Sequence, residues 1–311
     1  MTLKRLVLQF FCFNYLVCIF QKSLTYLKER SIFSALRSFE FIRRVCFHKR
    51  RSNGMKNNDN YHLPSFFVNS VPKSGTHLLK NLLQGMPNIS HKSQNEFYEG
   101  HVYQLKDHFY QLGQIKSNEF GIGHIYYSSE WSYMLKRLNM KNIFISRDLR
   151  DVVVSYVYFI LEKYPRHPLY NYLNNEATNQ KERYLAFING VQTDEVKHPS
   201  ISELFNLYQG WLEDPSTLSI TFEDLIGSER SRLLTLAKIV NYLWDGIILP
   251  APVNEIISSM EEKMDGKYSL TFRSGKIGGW EEEFDDEVKD AFKKVAGDLL
   301  IKLKYEENYE W

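Results

Sequence analysis

The stretch FFVNSVPKSGTHLLKNLL, Phe66 to Leu83, decides how this chain folds. It opens on Phe66, Phe67 and Val68, a short apolar run of the kind a buried parallel strand uses. It turns through Val71-Pro72-Lys73-Ser74-Gly75-Thr76-His77 and leaves on Leu78, Leu79, Leu82 and Leu83, the spacing of one helix face. Strand, small-residue turn and helix bring unpaired backbone N–H groups and the positive end of a helix dipole to one point, which suits a phosphate. Lys73 adds a mobile charge, Ser74 and Thr76 add hydroxyls, and Gly75 permits close backbone approach. A Pro and a Gly between strand and helix are also ordinary punctuation. The nucleotide loop GxxxxGK[ST] does not occur, because here the Lys precedes the Gly by two. On its own the segment leaves both readings open.

A second constellation follows the strand-like run Asn142 to Ser146, NIFIS, which leads directly into Arg147-Asp148-Leu149-Arg150-Asp151. Arg147 at a strand end can grip a phosphate with its planar fork. Ser155 lies about two helical turns further on, so both can face one ligand. A helix cap with surface ion pairs is the alternative. Phe120 to Ser128 is a short apolar segment bearing His124, and Leu218 to Phe222 reads as a further strand. Helices are expected over Asp151–Lys163, Ser231–Leu243, Val253–Met264 and Asp285–Leu303, while residues 91–118 show no clear period. Strands alternating with helices predict an α/β fold, P-loop-like and three-layered, with a central parallel sheet flanked by helices. Ligands in such sheets bind beyond the strand C-termini, where both constellations fall.

The chain of 311 residues is long enough for a sizeable core, and 43% hydrophobic with 24% charged residues is an ordinary globular composition. Its net charge of +2 is unevenly spread: residues 1–51 hold eleven Lys/Arg against two Glu, and the remainder is mildly acidic. All three cysteines, Cys12, Cys18 and Cys46, lie in that basic leader. A body without cysteine fits a reducing, cytoplasmic setting. Leu6 to Phe20 is apolar but shorter than the ~20 residues of a spanning helix, and no small-x-small cleavage site follows. The leader reads as a basic amphipathic segment in peripheral contact with an anionic membrane, as helices packed on the body, or as a short signal anchor. Residues 52–63 read as a linker and 64–311 as the functional domain.

Pro72-Lys73-Ser74-Gly75-Thr76-His77 resembles the 5′-phosphosulfate loop of the sulfotransferases, PKSGTxx after the first strand. Arg147, Asp148, Asp151 and Ser155 match the family's 3′-phosphate motif R-[DN]-P-x-D-x-x-x-S, with Leu149 in the Pro position. Phe272 to Trp280 resembles the FRKGxxGDW segment: Arg273 and Gly275 match, Ser274 replaces a Lys and Gly279 an Asp. Thr221 to Leu225 resembles the family's YEDL strand end. These matches run in family order from about Phe66 to Phe284.

The resemblance implies 3′-phosphoadenosine 5′-phosphosulfate (PAPS) as co-substrate, its desulfated form PAP as product, and no metal. Lys73, Ser74, Gly75, Thr76 and His77 would wrap the 5′-phosphosulfate, and Arg147, Ser155, Arg273, Ser274 and Gly275 the 3′-phosphate. Catalytic roles would fall to His124 as base, Lys73 on the bridging oxygen, and Ser155 holding Lys73 off until the donor binds. Where the family often has Lys-Thr-His this chain has Ile122-Gly123-His124, so a helper Lys is missing. Acceptors of three kinds remain open, namely the hydroxyl or amine of a small molecule, a glycan or a lipid, bound by residues 86–118 and 160–200. Nucleic acid is not indicated. The competing readings are a P-loop kinase-like phosphotransferase and a non-catalytic nucleotide-binding protein.

Overall fold

A computed structural model of the chain describes residues 62–98, 104–264 and 275–311. The basic leader and all but the end of the linker lie outside the described residues, as do Arg273 and Ser274. Residues 61–99 and 108–311 form one compact unit; of the other, residues 1–60 and 100–107, only the start of a helix is described.

The chain runs β1 (Phe66–Ser70), α1 (Thr76–Leu83), β2 (Ser90–Tyr98), α2 (Gln104–Gln114), β3 (Glu119–His124) and α3 (Ser129–Arg137). It continues through β4 (Asn142–Ser146), α4 (Leu149–Lys163), α5 (Gln180–Asn189), the short hairpin of β5 (Val191–Gln192) and β6 (Lys197–His198), and α6 (Ile201–Glu213). It closes with β7 (Thr217–Thr221), α7 (Phe222–Ile226), α8 (Glu229–Leu243), α9 (Val253–Glu261) and α10 (Asp286–Lys302). Five strands pair in the order β2-β3-β1-β4-β7, every neighbour parallel.

Period-two alternation sorts the strand residues between two cores. Phe66, Val68, Phe120, Ile122, Ile143 and Ile145 face Leu79 and Leu82 of α1, Ile239 of α8 and Ile256 of α9. Phe67 and Phe144 face Val153 of α4, Tyr184 of α5, Phe205 of α6 and Phe292 of α10. β1 and β4 are buried on both faces, which explains their near-continuous apolar runs. The expected α/β architecture with a central parallel sheet is therefore the observed one.

Caps explain where the observed elements depart from the expected limits. α4 starts at Leu149 rather than Asp151 because the Asp148 carboxylate accepts the Arg150 N–H at 2.9 Å. Phe222 opens a helix rather than ending a strand because Thr221 and Asp224 form a reciprocal capping box. Residues 91–118 supply β2 and α2. β2 is an edge strand with most of its residues outward, so it lacks a clean apolar period.

Gly123 sits opposite Phe97 in the β2–β3 ladder. A Cβ there would lie 2.5 Å from the Phe97 carbonyl oxygen and 3.0 Å from the Phe67 ring. Backbone in a parallel ladder cannot yield cheaply, so Gly123→Ala is expected to cost about 1–3 kcal/mol by overpacking. A urea titration reads this as a lowered midpoint at unchanged slope.

Candidate active site

β1 and β4 are neighbours, with Ser70 opposite Ile145, and their following helices leave on opposite faces of the sheet. This is the switch point of a doubly wound sheet, where a crevice opens at the strand C-termini. Both loops singled out in the sequence border it.

In the first loop, Lys73 and Gly75 both take left-handed backbone, φ 70° and 94°. Glycine is required at the second: a Cβ would meet Phe222 at 2.6 Å. Gly75 also precedes α1 without supplying a capping side chain, no acidic residue lies in the first turn, and the first helical bond runs from Leu79 N–H to the Gly75 carbonyl. The N–H groups ahead of it face the crevice mouth without an intrahelical partner. Ser74 is fully buried and its hydroxyl has no hydrogen-bond partner among the described residues. The Lys73 ammonium lies 4.2 Å from the centre of the Phe159 ring, one helical turn beyond Ser155 on α4.

In the second loop, Arg147 donates to Asp151 at 3.0 Å and to the Lys276 carbonyl at 2.5 Å, and its guanidinium lies over Phe222 at 4.3 Å. Its Nε is buried and unpartnered among the described residues. Phe222 thus lines both loops at once, a role its place in a strand-end motif did not reveal. Asp151 also accepts the Gly278 N–H at 3.0 Å and the Trp280 N–H at 3.1 Å. It ties the third motif to the second, and Lys276 contributes its carbonyl to Arg147 while its ammonium points to Glu282. Arg150 turns away: it pairs with Asp148 and Glu306 and lies between Trp280 and Trp311. Leu149, in place of the family's Pro, is buried at the first helical position.

His124 ends β3 on the same edge of the sheet, with Gly123 opposite Asn69. Burial pushes its imidazole down to about 4; hydrogen bonding to the Ser70 carbonyl opposes this, and His77 and Lys73 add to it. His77, half-buried beside the loop, is lowered by burial and by Lys80. Tyr98 pairs with His124 in register, their rings 5.7 Å apart, and donates to Glu96 at 2.7 Å. Neither Glu96 nor Tyr98 had a sequence signal. Beyond Phe159 runs an aromatic wall of Tyr164, His167, Tyr156, Phe187 and His198, with successive ring centres 4.9–5.8 Å apart.

The sulfotransferase domain family matches residues 63–304. The chain belongs to the sulfotransferase family, whose members are PAPS-dependent enzymes. It is 24% identical over 174 residues to mouse sulfotransferase 1E1, covering 54% of this chain and 59% of that one. Against Arabidopsis thaliana cytosolic sulfotransferase 6 it is 24% identical over 184 residues, covering 53% of each. The chain thus spans a little over half the length of these relatives. The crystal structure of mouse sulfotransferase SULT7A1 with PAP superposes with a TM-score of 0.53 at 19% identity, covering 78% of this chain and 86% of that one. Retinol dehydratase with androsterone and PAP gives 0.52 at 18%, covering 77% and 81%. At such identities the superpositions show the shared fold.

Three histidines, His124, His167 and His198, are each lowered to about 4, chiefly by burial. In the unfolded chain they titrate near ~6.5. Between these values the unfolded chain binds more protons, so their contribution to stability is complete above ~6.5 and is lost as pH falls toward 4. Urea midpoints measured across that window should fall with acidity, and the slope should flatten in a His167→Gln/His198→Gln double variant.

Proposed function

We propose that this chain transfers a sulfuryl group from PAPS to a hydroxyl of a small, largely apolar acceptor, with His124 as base. The observation that carries this reading is a pair of buried, unpartnered polar atoms, Ser74 Oγ and Arg147 Nε, one in each loop at the mouth of one crevice. Orphaned buried donors cost about 1–3 kcal/mol each, and anions at both loops would satisfy them. Bound PAPS would supply the sulfuryl group and a leaving phosphate for in-line displacement.

The chain's own residues divide the remaining work. The turn at Ser74–His77 presents N–H groups and hydroxyls to the 5′ side, and Arg147 with Ser155 and the Gly275 turn face the 3′-phosphate. Lys73 neutralises charge growing on the bridging oxygen, a preorganised electrostatic role. Its place over Phe159, one turn from Ser155, is consistent with the expected hold on Lys73 before the donor arrives. Neutral His124 takes the acceptor's proton. The aromatic wall from Phe159 to His198 supplies an apolar flank for a ring-bearing alcohol. Retinol dehydratase, which shares this fold, was crystallised with androsterone, and that supports the reading.

Calorimetry with PAP tests the donor site. Wild type should bind it, and Arg147→Ala should bind ~10–100-fold more weakly, the equivalent of a lost charge-assisted hydrogen bond of about 1.5–3 kcal/mol. Absence of PAP binding with binding of ATP instead would overturn the reading. With a phenol or sterol as acceptor, His124→Ala should lower kcat by about 10²–10⁴. The acid limb of kcat/KM in wild type should lie near pH 4 rather than ~6.5, because burial depresses this imidazole.

A further inference from the structure

His124 is held from behind by the strand that precedes the donor loop. Its Nδ1 lies 3.1 Å from the Ser70 carbonyl oxygen and 3.0 Å from the Ser70 hydroxyl. A carbonyl has no proton to give, so the first contact is attractive only when Nδ1 carries the hydrogen. In a neutral imidazole that leaves Nε2 bare, with the lone pair a base needs. The Ser70 hydroxyl also lies 2.7 Å from that of Thr76, the first residue of α1, and 3.5 Å from the Gly123 carbonyl. Ser70 is fully buried, and so is Asn69 before it. The Asn69 amide accepts the Ile125 N–H and donates to the Ile125 carbonyl, both at 2.9 Å, and accepts the Ser70 N–H at 3.0 Å. It therefore clamps the chain on the far side of His124 to the strand carrying Ser70.

We propose that Ser70 is a positioning residue: it holds His124 as the Nδ1–H tautomer and, through Thr76, links the base to the donor-binding loop. The chain of groups is continuous. Nδ1–H donates to the Ser70 oxygens, the Ser70 hydroxyl donates to Thr76, and the Thr76 proton is left for an anion in the loop. Such chains polarise cooperatively. An anion that accepts from the Thr76 hydroxyl pushes electron density back along these groups toward Nδ1–H, which stabilises a positive imidazole, so donor occupancy raises the affinity of Nε2 for the acceptor's proton. By linkage, protonation of His124 tightens anion binding equally. Asn69 maintains the strand spacing on which these contacts depend. The proposal rests on His124 as base, but the hold on the ring is measurable without turnover.

Long-range ¹H–¹⁵N spectra of the full-length ¹⁵N-labelled protein, assigned with His124→Ala, read the tautomer directly. Wild type should show Nδ1–H with bare Nε2, and PAP should raise the His124 titration midpoint. Ser70→Ala keeps the carbonyl and so the Nδ1–H tautomer, but should abolish most of the PAP-induced shift and lower kcat up to about tenfold, the scale of one neutral hydrogen bond, with little change in donor KM. Ser70→Thr should restore both. If Ser70→Ala does not fold, Ser70→Cys, whose sulfur is a weak acceptor, replaces it. An unchanged PAP-induced shift in the hydroxyl-less variant would overturn the proposal, as would Nε2–H in wild type. Full activity of His124→Ala would instead sink the base assignment and leave the tautomer result to judge Ser70 separately.

Discussion

The parallel pairing of β1 with β4, each followed by a helix on a different face of the sheet, is the constraint on which the site depends. A crevice is opened by the backbone itself before any side chain is considered. The loop after β1 offers the positive end of α1, and the loop after β4 offers Arg147 at its mouth. Phe222, delivered by the end of β7 on the other side of β4, packs against Gly75 and under Arg147. The two loops are thus held together by one aromatic ring, and glycine at position 75 is what allows that ring so close.

Charge in the crevice is balanced with care, as buried ions must be. Asp151 is almost wholly buried and accepts from Arg147, Gly278 N–H and Trp280 N–H. That arrangement satisfies the carboxylate, orients the guanidinium, and anchors a segment more than a hundred residues away. Arg150, three residues from Arg147, is neutralised by Asp148 and Glu306 and enclosed by two tryptophans. One arginine of the pair serves the crevice while the other fastens the start of α4. Among the described residues, the Arg147 guanidinium keeps its Nε unpaired, and under the proposed reading it would meet a phosphate.

Burial of His124 has two consequences of opposite value. It keeps the imidazole neutral at physiological pH, so in the proposed role as base it would need no prior deprotonation. It also weakens that base, because accepting a proton creates a charge in a desolvated place. On the proposed role of Ser70, the hydrogen-bonded chain through Thr76 would offset that weakness when an anion fills the loop. Donor arrival and base strength would then rise together, in a chain that lacks the family's common lysine near the histidine.

The sequence by itself determined the strand–turn–helix at Phe66–Leu83, the strand-to-helix run through Arg147 and Ser155, the α/β class and the family. Each of these is encoded in a few consecutive residues, by apolar periodicity, by a glycine that must turn left-handed, or by a cap. The tertiary structure decided the rest. It placed Phe222 between the loops, set Ser70 and Asn69 behind His124, brought Tyr98 beside that ring, and joined Asp151 to Gly278. Nothing local marks such residues, because their partners lie 26 to 127 positions away and the contact appears only when strands from distant parts of the chain stand side by side. Edge strand β2 was illegible for a related reason: with one face toward solvent and its ladder incomplete, its pattern of side chains follows its neighbours rather than its own period.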